Sequence, residues 1–259
     1  MTRKIIDFHA HPFLNANHNL CYYKNSLPSD TAGCLEYLRD FGISRICGSV
    51  LQNTSEWEQI KACNRVALEL SDILGDFYIP GFHIHPDHLK ESLAELDLMQ
   101  ERGLKLVGEL VPYMHGWDFS HANLPILLKA MEERDMILSF HSTGISDETM
   151  LPLLERFPKL TFVAAHPGER PSVEMHLQRM EHYKNYYLDL SGTGLGRMGV
   201  LKYMVDRAGK ERFLFGTDFP ISPPAMYVSV IEHEPFLSAD EKEHVYFKNA
   251  ERLLGGCME

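Results

Sequence analysis

The 259-residue sequence has no apolar run approaching the roughly 18 residues that a membrane span requires. Its start, Met1-Thr2-Arg3-Lys4, leads into a short apolar stretch without the pattern of a signal peptide. A protein that stays in the cytoplasm is the expectation. Basic runs are missing too. With 25 Lys and Arg against 36 Asp and Glu, the formal net charge is -11, which works against contact with nucleic-acid phosphates or anionic lipid. A small-molecule substrate is expected, with no nucleic acid and no membrane as partner, and a homo-oligomer is left open. The five cysteines, Cys21, Cys34, Cys47, Cys63 and Cys257, are odd in number, scattered and free of any C-x-x-C pair. They form neither a disulfide framework nor a structural zinc knuckle and read as free thiols. Repeats, low-complexity segments and linkers are also absent, so one domain over residues 1–259 is expected. A hydrophobic content of 44% with 24% charged residues provides an ordinary globular core.

What the chain does have is eight short apolar runs, at 4–9, 44–51, 77–83, 104–111, 136–141, 160–166, 186–191 and 213–218. Stretches with helix signals separate them. Ser55-Glu56-Trp57-Glu58 has the form of a capping box, Leu89, Leu93 and Leu96 recur at helical spacing before Gly103, and Asn123 precedes Pro125. Ser238-Ala239-Asp240-Glu241 is a second capping box. Alternating strands and helices imply a parallel sheet, either open or closed into a barrel.

The residues at the strand ends decide between the two. Asp7-Phe8-His9-Ala10-His11 places an H-x-H at the exit of the first run, where His9 and His11 project to one side. His141 ends the fifth run, His166 the sixth and Asp218 the eighth. Closure of eight strands brings His9 beside Asp218, and every one of these residues falls at the C-terminal strand ends where barrel active sites lie. The expected fold is therefore α/β, a (β/α)8 TIM barrel. The irregular stretch 12–30, directly after the H-x-H, reads as a flap over the pocket.

Other candidates carry less. His83 and His85 form a second H-x-H after the third strand, but His85-Pro86 looks like a loop entry, so substrate contact ranks ahead of metal binding for this pair and neither is the leading reading. His115, His121, His176, His182, His233 and His244 fall in loops or helices and read as solvated surface. Arg170 and Arg197 read first as surface ion-pair partners, with a bidentate clamp on a substrate carboxylate as the alternative.

Together these motifs resemble the amidohydrolase superfamily, and within it the amidohydrolase-2 branch of TIM-barrel metal-dependent hydrolases and decarboxylases. The resemblance rests on Asp7-Phe8-His9-Ala10-His11, Phe140-His141, Ala165-His166-Pro167-Gly168, Gly216-Thr217-Asp218-Phe219-Pro220 and Asn249-Ala250-Glu251-Arg252-Leu253-Leu254-Gly255. It implies that His9, His11, His141 and Asp218 hold a divalent ion, zinc in the first instance with manganese as the alternative. His166 then binds a second ion or serves as an acid/base, and Asp218 is the catalytic proton carrier. In the fourth run, Gly108-Glu109 looks like the glutamate type of TatD-like relatives, with Glu109 bridging two ions. Imidazole and carboxylate ligands suit zinc, which lowers the pKa of its bound water from about 15.7 to about 7. The leading expectation is a metal-dependent hydrolase of an amide, ester or lactone type bond in a small polar molecule. The alternative is a metal-dependent non-oxidative decarboxylase of a small unsaturated or aromatic acid. A TatD-like nuclease and a non-catalytic metal scaffold rank below both. Engagement of Glu109 with two ions favours hydrolysis, whereas a single ion faced by an arginine favours decarboxylation.

Overall fold

The computed structural model describes residues 4–255. Cys257 lies outside them, and the other four cysteines are free thiols. Eight parallel strands are found among the described residues: β1 (Ile5–Asp7), β2 (Ile43–Ser49), β3 (Tyr78–Gly81), β4 (Leu106–Leu110), β5 (Ile137–His141), β6 (Thr161–Ala165), β7 (Tyr186–Asp189) and β8 (Phe213–Leu214). Between them run α1 (Leu35–Asp40), α2 (Trp57–Leu74), α3 (Leu89–Glu101), α4 (Pro112–His115), α5 (Leu124–Glu133), α6 (Asp147–Arg156), α7 (Arg170–His182) and α8 (Val200–Ala208). After β8 come α9 (Pro224–Glu232), α10 (Ala239–Glu243) and α11 (Asn249–Leu254).

Regular pairing divides the strands into β1-β2-β3 and β4-β5-β6-β7-β8, and backbone hydrogen bonds join the two groups at both seams. Phe82 N donates to Leu106 O at 3.0 Å and Gly108 N to Phe82 O at 2.7 Å. At the other seam Phe8 N donates to Phe215 O and Asp218 N to His9 O, each at 2.8 Å, and Ala10 pairs in parallel with Phe219. The fold is a TIM barrel.

Side-chain alternation sorts each strand into an inner and an outer set. Outward-facing Ile46, Leu138, Phe140, Phe162, Leu188 and Phe215 pack in the large core shared with the helices. Inward, Ile6, Cys47, Leu106, Ile137, Val163, Tyr187 and Leu214 form a buried apolar plug, covered at one end by Phe247, Leu253 and Leu254. Each fully buried aliphatic side chain contributes about 1.5–3 kcal/mol. Two residues further along, five of these strands turn polar or small on the inner face, with Ser49, Ser139, Ala165, Asp189 and Gly216, while β1 keeps Phe8 in the plug. The next inward positions hold His141, Ser191 and Asp218. The apolar plug thus forms the floor of a polar site.

Local expectations met mixed outcomes. The box at Ser238 forms, with Ser238 and Glu241 capping reciprocally, and α5 opens on Asn123 with Pro125 in its first turn. No side-chain cap forms at α2, where Glu56 is the N-cap and its N–H is taken by Thr54 Oγ1 instead. Stretch 12–30 is an excursion pinned at its base: Thr31 N donates to Phe13 O, and Phe13 N to Thr31 Oγ1. Tyr22 and Tyr23 near its middle are exposed. No helix among the described residues is long and apolar enough to cross a membrane.

Candidate metal centre

The six candidate ligands meet at the C-terminal mouth of the barrel. Glu109 is their centre and is 4% exposed. Its Oε2 lies 3.3 Å from His11 Nε2 and 3.5 Å from His9 Nε2. Its Oε1 lies 3.1 Å from His141 Nδ1 and 3.7 Å from His166 Nε2. Asp218 Oδ1 is 3.6 Å from Nε2 of both His9 and His11. Glu109 reaches this position because Gly108 carries no side chain: a Cβ there would meet Ser139 O at 2.1 Å, at a φ of +105°.

The backbone is left-handed at two of the six. His166 and Asp218 have φ of +68° and +61°, left-handed values that cost a non-glycine residue about 1–3 kcal/mol and cluster at functional sites. At His166 the loop after β7 makes room, since a Cβ on Gly192 would lie 2.3 Å from His166 Nδ1.

Hydrogen bonds outside the cluster select the nitrogens that face inward. His11 Nδ1 donates to Ser49 O at 3.0 Å, which fixes Nε2 as the free nitrogen. His9 Nδ1 is 3.0 Å from Asp189 Oδ2, and His166 Nδ1 is 3.0 Å from Ser191 Oγ. The two Nε2 atoms of His9 and His11 are left only 3.3 Å apart. Imidazole lone pairs and carboxylate oxygens crowded this closely, and this deeply buried, fit a divalent cation such as Zn2+ or Mn2+. Two of the ligand groupings, His9-His11-Glu109 and Glu109-His141-His166, share Glu109.

Electrostatics support an ionised Glu109. Burial works against its charge, but His9, His11 and His141 outweigh that and hold its carboxyl well below the usual range. Burial likewise opposes charge on His9, and the carboxylates of Asp189 and Glu109 reverse the balance and raise its pKa well above that of a free imidazole. For His166 burial prevails and lowers the pKa. Asp7, fully buried beneath the site, has its carboxyl pushed up to about 7 by burial, although the Thr217 hydroxyl and the backbone N–H groups of His9 and Thr217 donate to it.

A family model described as amidohydrolase matches residues 6–256. The chain belongs to the amidohydrolase family. Among solved structures, this amidohydrolase is similar to an uncharacterized TIM-barrel protein from Bordetella bronchiseptica, with 22% identity and a TM-score of 0.74 over 97% of this chain and 98% of that one. It is also similar to 2,6-dihydroxybenzoate decarboxylase from Rhizobium, at 13% identity and TM-score 0.71, covering 97% and 98%. A third is dihydroxybenzoic acid decarboxylase from Polaromonas, solved with bound manganese, at 12% identity and TM-score 0.66 with 97% of each chain covered. Identities this low carry the fold. No curated protein matches the chain.

The second H-x-H of the amidohydrolase stays apart from the cluster. His83 Nε2 donates to Val50 O at 2.9 Å and His85 Nε2 to His115 O at 2.9 Å. His115 and His176, expected at the surface, are buried at 1% and 0% exposure. The reason is that each finds an apolar or aromatic partner: His115 packs on His83, and His176 stacks on Tyr186, whose hydroxyl is 2.8 Å from its Nδ1. Arg170 is exposed, and Arg197 is exposed and pairs with Glu169 at 3.4 Å. Beside His141 a cavity of about 200 Å³ opens, walled by Tyr113, Asp118 and Ile145, and the Tyr113 ring lies 5.3 Å from the His141 ring. Sequence reasoning passed over Asp189 and Ser191. The available signal was their period-two spacing from Tyr187, which puts them on the same inner face as the ligands of the other strands.

Proposed function

We propose that this amidohydrolase is a metal-dependent hydrolase acting on an amide, ester or lactone type bond of a small polar molecule. The observation that carries the reading is Glu109, whose two oxygens face two separate histidine pairs. His9, His11, Glu109 and Asp218 would hold one ion, and Glu109, His141 and His166 a second. When bound, the divalent ions, Zn2+ first and Mn2+ as the alternative, supply Lewis acidity and bring the pKa of water toward 7. Asp218 takes the proton of the attacking water on its carboxylate and passes it to the leaving group. His166 serves as a ligand in this reading and not as the acid, because Ser191 occupies its Nδ1 and its Nε2 faces Glu109. Tyr113 borders the cavity next to His141, where part of the substrate would sit.

A second reading, non-oxidative decarboxylation of a small aromatic acid, is supported by the reactions named for similar structures, the 2,6-dihydroxybenzoate and 5-carboxyvanillate decarboxylases. Those names favour decarboxylation over hydrolysis, and the Glu109 geometry favours the reverse. Metal analysis of protein reconstituted with Zn2+ or Mn2+, followed by assay on a panel of lactones, esters and amides and on 2,6-dihydroxybenzoate, separates the two. Two ions per chain with turnover of a panel member supports hydrolysis. One ion with loss of CO2 from the benzoate overturns it.

A further inference from the structure

Asp189 lies at the end of β7 with no solvent exposure, on a strand that supplies no ligand in the proposed site. It is close enough to His9 and His166 to join them around an ion, yet both of its oxygens are already engaged. Oδ2 faces His9 Nδ1 at 3.0 Å. Oδ1 accepts from Ser191 N at 3.0 Å and from the Ser191 hydroxyl. Because that hydroxyl has one proton and gives it to Asp189, the Ser191 oxygen accepts from His166 Nδ1, 3.0 Å away. One buried carboxylate therefore determines which nitrogen is protonated on two histidines, directly on His9 and through Ser191 on His166. Both are left with Nε2 facing Glu109, His9 toward Oε2 and His166 toward Oε1.

We propose that Asp189 is the shared positioning residue of the centre, orienting one ligand in each of its two metal positions, with Ser191 serving only the His166 position. This rests on the two-ion reading above. An imidazole oriented through its second nitrogen by a carboxylate is a better and better-aimed ligand, and such a partner changes metal affinity by about 10- to 100-fold.

Titration of the purified protein with Zn2+ against a chromophoric chelator provides the test. Asp189→Asn keeps the shape of the side chain and is expected to weaken both equivalents by about 10- to 100-fold. Ser191→Ala is expected to weaken one equivalent similarly and leave the other at its wild-type affinity. Asp189→Asn that binds both equivalents normally, or loses affinity for only one, overturns the proposal, as does Ser191→Ala acting on both. A wild type that takes up a single equivalent overturns the two-ion reading, and Asp189→Asn must then weaken that one for the positioning role to stand. Long-range 1H–15N correlation spectra of the Zn2+-loaded wild type need no variant. They are expected to show His9 and His166 protonated at Nδ1, and an Nε2-protonated ring at either position overturns the assignment.

Discussion

His9-Ala10-His11 and His83-Ile84-His85 are the same motif at the ends of two strands of one barrel, and they have opposite surroundings. The first pair gives its Nδ1 atoms to Asp189 and Ser49, leaving both Nε2 atoms among the oxygens of Glu109 and Asp218. The second pair gives its Nε2 atoms to the carbonyls of Val50 and His115. No carboxylate lies within ion-pair distance of His83 among the described residues, and His85 has only Asp87, at 4.0 Å. Burial then drives the two sites apart. It lowers the pKa of His83 to about 3, with His115 reinforcing the shift, whereas at His9 the carboxylates override it. An H-x-H becomes a candidate ligand pair through the acids that other strands bring to it.

The comparison breaks most visibly if the acids are removed. Asp218→Asn is expected to lower kcat by about 10²–10⁴-fold, the range for loss of a positioned acid or base, with far-ultraviolet circular dichroism unchanged. A mutant that retains near-native turnover would place the proton transfer on another group. Glu109→Gln comes next. Neutralising the carboxylate shared by the two groupings is expected to cut bound metal from about two ions per chain to about one, measured by elemental analysis, with a large fall in rate. Unchanged metal content and rate would remove the bridge and strengthen the decarboxylase reading.

A sharper contrast comes from His83→Gln. The Gln amide can still donate to Val50 O, so metal content is expected to stay at the wild-type level. Loss of an ion in this variant would mean that the second H-x-H supports the centre after all.

How far the sequence foretold this depends on where a residue sits in its run. His141, His166 and Asp218 end their apolar runs, so each stands out as a polar residue at a strand exit, and closure of the barrel follows from the need to join His9 to Asp218. Glu109 was legible from its glycine neighbour. Asp189 was not, because Leu188 and Leu190 flank it and the run continues past it; only assignment of the inner face reveals it. His115 and His176 were misread as surface for a related reason. Their burial comes from distant aromatic and backbone partners, His83 for one and Tyr186 for the other, and no local pattern encodes those contacts. The box at Ser55 does not form because the helix opens one residue later, with Glu56 as its N-cap.

The smallest expected effect is on acid stability and follows from the second pair. His83 is buried and neutral, with a folded pKa of about 3 against 6.5 for a free imidazole, and His115 is lowered to about 4, again by burial first. The unfolded chain therefore binds more protons than the folded one between those limits, so stability rises with pH there. Their contribution is complete above about pH 6.5 and is lost as the pH falls through 6.5 toward 4 and 3. For His83 alone the loss between pH 7 and pH 5 is about 2 kcal/mol, equivalent to roughly 4–8 °C in melting temperature for a protein of this size. His83→Gln removes the titrating group and keeps the hydrogen bond to Val50. Comparing its melting temperature with that of the wild type at each pH cancels the titrations the two proteins share. The gap is expected to shift in favour of the variant by that amount between pH 7 and pH 5. A gap that stays constant across the window would mean that His83 takes up its proton as readily in the folded protein as in the unfolded one, and burial would then not separate the two histidine pairs.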